Sequence, residues 1–228
     1  MNKPIIGIVS KHYDDSDSIR SNTFIRDEVK QAIFDNGGIA IGILPTESKI
    51  NYTQDAWKDT LSNIEKENLI NQIKLCDGII LQGGAQSDTY EIIIAKYCYD
   101  NDIPILGICA GQNNIVRALN GTTCMINNPE DHNKATKEYV HNLLINENSL
   151  FYNIVKTNKM MVNSRHNRTI KNCPMLDKVA FCTDGYPDVV ESKEKKFYIG
   201  VRFHPESLYI KDKNHNKIFT SFINSCKK

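Results

Sequence analysis

Four short apolar runs punctuate the first half of the chain, at Ile5–Val9, 39–44, Gly78–Leu81 and 103–108, with longer amphipathic stretches between them. Runs that are apolar at consecutive positions suit strands covered on both faces, as in parallel sheets with helical crossovers. The intervening stretches read as those crossovers. Ile25, Val29, Ala32 and Ile33 recur at helical spacing until Gly37-Gly38 stop the pattern. Leu61, Ile64 and Ile73 share one face of a second helix, and a third covers 91–99. Beyond residue 140 the pattern changes to short β-rich pieces at 140–145, 159–162, 178–183, 188–191 and 197–203. Turn residues such as Asp184-Gly185 and Pro187 separate them. A last helix over about 214–226 places Ile218, Phe222 and Cys226 on one stripe. The expectation is an α/β fold: a mostly parallel central sheet with helices on both faces and an added antiparallel portion. No repeat or linker divides residues 1–228, which read as a single domain.

Charge and cysteine usage narrow the function. Lys and Arg number 28 against 27 Asp and Glu, so no excess charge invites nucleic acid or a charged membrane. The opening apolar run is too short for a leader or a membrane span, and the polar residues Lys11, His12 and Asp14 cut it off. Seven scattered cysteines without a C-x-x-C pair argue against a disulfide framework or a zinc site, and for a reducing cytoplasm. A symmetric homodimer is the default assembly.

Three short motifs carry chemistry. Gly107-Ile108-Cys109-Ala110-Gly111 follows a buried strand and precedes a helix. A nucleophile on a strand-to-helix turn needs small neighbours, because the backbone there is strained and closely packed. The helix N-terminus would also favour the thiolate. A buried core cysteine is the competing reading of the pentapeptide. Phe203-His204-Pro205-Glu206 offers a base and an orienting carboxylate two residues apart at a strand end. Alone, that pair reads as a solvated strand end. Gln82-Gly83-Gly84 can aim a backbone N–H at an oxyanion, with Ala110 as second donor; alone it is a turn.

The order of these pieces resembles the class I glutamine amidotransferase family, nearest to its γ-glutamyl-γ-aminobutyrate hydrolase branch. The likeness also rests on Pro4-Ile5-Ile6-Gly7-Ile8, Gly37-Gly38 with Leu44-Pro45, and Asp77-Gly78-Ile79-Ile80-Leu81-Gln82-Gly83-Gly84. Val162-Asn163-Ser164-Arg165-His166 and Gly200-Val201-Arg202-Phe203-His204-Pro205-Glu206 extend it over most of the chain. The resemblance implies Cys109 as nucleophile, His204 as general base and acid, Glu206 as its orienting partner, and oxyanion N–H groups from Gly84 and Ala110. It implies cleavage of a γ-glutamyl amide through a glutamyl thioester that water resolves, with no metal or organic cofactor. Gly83, Gln112, Asn113, Asn163, Ser164 and His166 would face the substrate.

Departures from the family pattern bear on specificity. Asn113 stands where the family usually has Gln, and Asn167-Arg168 replace its usual His-Gln. The stretch 85–90 after Gly83-Gly84 is shorter than usual. Among other residues, His132 and His141 read as structural or solvated, and Arg165 and Arg168 as surface arginines or ligands of a substrate carboxylate. Asp14, Asp15 and Asp17 lack the glycine and distal glutamate of a calcium loop. Ser10 reads as a pocket residue or a plain strand end. The expected function is a free-standing hydrolase of small γ-glutamyl amides. The alternatives are a glutaminase subunit feeding ammonia to a partner synthetase, and a non-catalytic binding protein on the same fold.

Overall fold

The computed structural model describes residues 2–14, 21–46, 61–84 and 89–228. Asp15, Asp17 and residues 85–88 lie outside the described residues. The chain begins with β1 (Ile5–Val9), β2 (Lys11–Asp14), β3 (Ser21–Phe24), α1 (Asp27–Asp35) and β4 (Ile39–Ile43). Next come α2 (Asn63–Ile73), β5 (Gly78–Leu81), α3 (Thr89–Asp100), β6 (Ile105–Ile108) and α4 (Ala110–Ala118). β7 (Thr122–Met125), α5 (Pro129–His132), β8 (His141–Ile145), α6 (Leu150–Val155) and β9 (Lys159–Val162) come after these. The chain closes with β10 (Arg168–Asn172), β11 (Asp177–Cys182), β12 (Pro187–Glu191), β13 (Tyr198–Val201) and α7 (Lys213–Ser225).

Nine strands form one sheet in the order β4-β1-β5-β6-β13-β12-β11-β8-β9. The pairs from β4 through β13 are parallel, and those from β13 through β9 are antiparallel. The α/β architecture and its antiparallel portion thus stand as the apolar runs implied. The β2–β3 and β7–β10 antiparallel pairs, which no apolar run announced, are additions.

Strand residues alternate between two cores. Ile80, Leu106 and Ile108 pack with α1 and α7 on one face, while Ile79, Leu81 and Ile105 pack with α2, α3 and α4 on the other. Burial on both faces is why the central runs are continuously apolar. Each fully buried aliphatic side chain contributes roughly 1.5–3 kcal/mol. α7 buries Ile218 and Phe222, as its stripe predicted, with Phe219 and Ile223 beside them, and Asp212 caps it by accepting from the N–H of Asn214 at 2.8 Å. α2 differs from its expectation. Ser62 and Glu65 form a reciprocal capping box that starts the helix after Leu61, and the buried face is Leu69 with Ile73, leaving Ile64 exposed. No helix among the described residues is long and apolar enough to cross a membrane.

Candidate active site

Three neighbouring parallel strands end at one edge of the sheet, and each delivers one part of the site. β5 runs out into Gln82-Gly83-Gly84, β6 into Cys109, and β13 into Arg202-Phe203-His204. Residues distant in sequence therefore meet at the carboxyl edge, where open α/β sheets bind ligands.

Cys109 links the last residue of β6 to the first of α4 with φ 52° and ψ −101°. Such a conformation is strained for a residue with a side chain, and the surroundings hold it there. Its N–H donates to the carbonyl of Val201 at 2.8 Å. The flanking glycines are sterically required. A Cβ on Gly111 would stand 2.1 Å from the Leu81 carbonyl oxygen, and one on Gly107 2.6 Å from Ile115 Cδ1.

The His204 ring stands beside the Cys109 side chain, close enough for each to shift the other's ionisation. On the other side of the ring, Nδ1 lies 2.7 Å from Oε1 of Glu206, which the short 3-10 turn Pro205–Ser207 holds in place. The three residues expected to act together are thus brought together. Burial opposes ionisation of Cys109, but the charge and hydrogen bond of His204 and the Arg202 guanidinium outweigh it, and the thiol pKa is lowered. Burial likewise disfavours imidazolium at His204, yet Glu206 and the Cys109 thiolate raise its pKa to about 10. Each group thus favours the charged form of the other.

The Gly-Gly segment packs tightly on this pair. A Cβ on Gly83 would come within 2.7 Å of His204 Cε1 and 3.4 Å of Cys109 Cβ. Gln82 anchors the segment, donating to the carbonyls of Val9 and Phe24 at 3.0 and 3.1 Å and accepting from the N–H of Arg26 at 2.9 Å. The Lys11 stem runs against Gly84, and its Nζ pairs with Glu91 at 2.5 Å in the interior. Asn114 also donates to Glu91.

Several expected substrate contacts are instead engaged in the fold. Gln112 is fully buried and its amide donates to the carbonyls of Asp188 and Gly200 at 2.9 and 3.0 Å. Asn163 is fully buried and bonded to the backbone of His204. Ser164 is fully buried. Ser10 donates to the Ile43 carbonyl at 2.8 Å, which makes it a tie between β1 and β4. Asn113 is nearly buried and accepts from Arg202 Nη1 at 2.8 Å. His166 is buried beside His132, and burial with the nearby Arg202 and His132 charges lowers its pKa to about 2. Arg165 bonds Ser207 at 3.1 Å, and Arg168 lies against Thr123.

Arg202 carried no mark of its own in the sequence. It is 1% exposed, reaches the carbonyl of Cys109 at 3.4 Å and leaves Nε and Nη2 without partners among the described residues. Its place beside the conspicuous Phe203-His204 was the only available signal.

Known proteins resemble the chain as a whole. GMP synthase [glutamine-hydrolyzing] of Vibrio atlanticus is 30% identical over 153 residues, covering 66% of this chain. The chain spans only 28% of that synthase and 33% of the CTP synthase of Chlamydia muridarum. A glutamine amidotransferase-like protein of Lactococcus lactis, YvdE, is 24% identical, with 78% of this chain and 90% of that protein covered. The solved glutaminase domain of Trypanosoma brucei CTPS, with bound acivicin, shares the fold: TM-score 0.63 at 16% identity, over 98% of this chain and 93% of that one. The family model described as peptidase C26 matches residues 85–206, more than half of the chain, from beside Gly84 to Glu206. The chain therefore belongs to the peptidase C26 family, within the class I glutamine amidotransferase-like proteins.

Proposed function

We propose that the chain hydrolyses the γ-amide bond of a γ-glutamyl amine or a related small γ-glutamyl compound, as the γ-glutamyl-γ-aminobutyrate hydrolase branch does. The observation that carries this reading is the grouping of Cys109, at a strained strand-to-helix turn, with His204, whose Nδ1 lies 2.7 Å from Glu206 Oε1. In the proposed reaction the Cys109 thiolate attacks the γ-carbonyl carbon, forming the C–S bond and an oxyanion held by the N–H groups of Gly84 and Ala110. As the C–N bond breaks, His204 gives its proton to the leaving amine. Water then attacks the glutamyl thioester while His204 takes a proton, and the C–S bond breaks to release glutamate and restore the thiolate. Glu206 keeps the ring oriented and stabilises its charge.

The test is glutamate release from glutamine, γ-glutamyl-γ-aminobutyrate, other γ-glutamyl amines and γ-glutamyl dipeptides, run with wild type and Cys109→Ala. Release from a γ-glutamyl amine that Cys109→Ala abolishes is the expected result. Release that survives Cys109→Ala would sink the reading.

A second reading, favoured by the synthase relatives, makes the chain a glutaminase supplying ammonia to a partner synthetase. It requires glutamine to be the preferred substrate and turnover to rise when the partner is added. The panel separates the two.

A further inference from the structure

Away from the Cys109 group, the antiparallel half of the sheet gathers a second set of chemistry-bearing side chains. His132 closes α5, His141 opens β8 and Cys182 ends β11. One ring nitrogen of each histidine and Sγ of Cys182 lie within 4.8 Å of one another. His132 and Cys182 are 2% exposed and the His141 side chain 10%. Two carboxylates flank the three. Asp184 places one oxygen 2.7 Å from Cys182 Sγ and the other 2.6 Å from His132 Nε2. Asp188 Oδ2 lies 3.2 Å from His141 Nε2.

We propose that His132, His141 and Cys182, with Asp184 as fourth ligand, form a binding site for zinc or a closely similar divalent transition metal. The donor set decides the class. A thiolate with two imidazoles suits zinc and its first-row neighbours, whereas magnesium and calcium take oxygen. The spacing also fits. Around a tetrahedral zinc the donor atoms stand roughly 3.3–3.8 Å apart, so the trio closes by about 1 Å. Asp188 supplies the carboxylate behind a ligating histidine that fixes ring orientation.

A self-contained hydrogen-bond cluster is the competing account, and it leaves atoms unexplained. His132 Nδ1, His166 Nε2 and Asp188 Oδ1 are buried without partners among the described residues, and the His166 ring lies tilted beside His132 at 5.2 Å between centroids. Buried polar atoms normally find partners. The Asp184 side chain is 48% exposed, which opens a path to solvent. On binding, the S–metal bond forms as the thiol proton, now donated to Asp184, leaves to water; no electron is transferred. The 9- and 41-residue separations of these ligands match no linear motif, so the cysteine pattern that argued against zinc could not reveal them.

The test reads metal rather than turnover, so it stands or falls apart from the hydrolase reading. Cys109→Ala removes the thiol of lowered pKa from competition. Metal-free Cys109→Ala chain is titrated with Zn²⁺, with Co²⁺ as spectroscopic probe and Mg²⁺ as control. Expected are about one bound Zn²⁺ per chain, tetrahedral d–d bands with a thiolate-to-cobalt charge-transfer band, and a zinc-dependent rise in Tm. Cys182→Ser in that background should abolish the charge-transfer band and weaken zinc about tenfold or more. His141→Gln serves as the second variant, with weakened zinc but the charge-transfer band retained at high cobalt. Zinc or cobalt uptake unchanged by both substitutions, or a cobalt spectrum without a thiolate band, would overturn the site.

Discussion

Asn163 grips both backbone polar groups of His204: its Oδ1 accepts from the His204 N–H at 2.7 Å, and its Nδ2 donates to the His204 carbonyl at 2.8 Å. The two residues are 41 positions apart, and both are buried. This clamp sets where the imidazole stands relative to Cys109, so Asn163 is a positioning residue in the proposed reaction.

Asn163→Ala should lower kcat about 100-fold, the scale of a displacement near 1 Å, with KM changed far less. Leaving the two buried groups of His204 unpaired should also cost about 1–3 kcal/mol each at most. Steady-state kinetics beside urea unfolding would check both. An unchanged kcat in a chain destabilised by that amount would make the clamp purely structural.

The coupled charges of Cys109 and His204 predict a definite pH response. The lowered Cys109 pKa means that alkylation by iodoacetamide should rise with pH below the ordinary cysteine range near 8.5. Turnover needs the imidazolium as proton donor, so it should fall as pH climbs through about 10, where His204 loses its proton. In His204→Asn the imidazolium is gone and burial remains, which should shift the alkylation profile to higher pH. A profile identical to wild type would remove His204 from the account.

Two glycines should fail in different ways. Gly111→Ala drives a Cβ to 2.1 Å from a backbone carbonyl oxygen that cannot step aside, so the fold itself suffers, by about 3 kcal/mol or more. Gly83→Ala meets the His204 ring edge at 2.7 Å, a side chain that can shift. It should keep most stability and lose most activity. Melting temperature and turnover measured on both variants would separate these outcomes.

The buried Lys11–Glu91 pair predicts a third pattern. Lys11→Met removes the cation facing the buried Glu91 carboxylate and should destabilise by about 3–5 kcal/mol. Adding Glu91→Leu should restore much of that, because a buried ion pair exchanged for apolar groups is often neutral. Chemical denaturation of the two single variants and the double variant would measure the coupling.

Much of this molecule was legible along the chain because the signals are local. The strands β1, β5 and β6 show as apolar runs, since burial on both faces leaves no polar alternation, and the edge strand β4 shows as one although it buries only Ile43. Cys109 was marked by the glycines that a close-packed strand-to-helix turn requires, while His204 and Glu206 stood out through the order of the motifs, which resembles a known family; the structure sets Glu206 in a 3-10 turn beyond β13. Less legible were β2, β3, β7 and β10, whose short sequences mix polar and apolar residues, and Ile64, which a capping box turned outward.

By itself, then, the order of residues determined the strand-and-helix alternation, the glycine-flanked turn at Cys109 and the spacing of Glu206 two residues after His204, each written within a few consecutive positions. The tertiary structure alone decided that Gln112 and Asn163 serve the fold, that Arg202 lies beneath Cys109, and that His132, His141 and Cys182 converge. Those relationships depend on which strands become neighbours in the sheet. That choice is made by burial summed over the whole core, and no short stretch of sequence carries it.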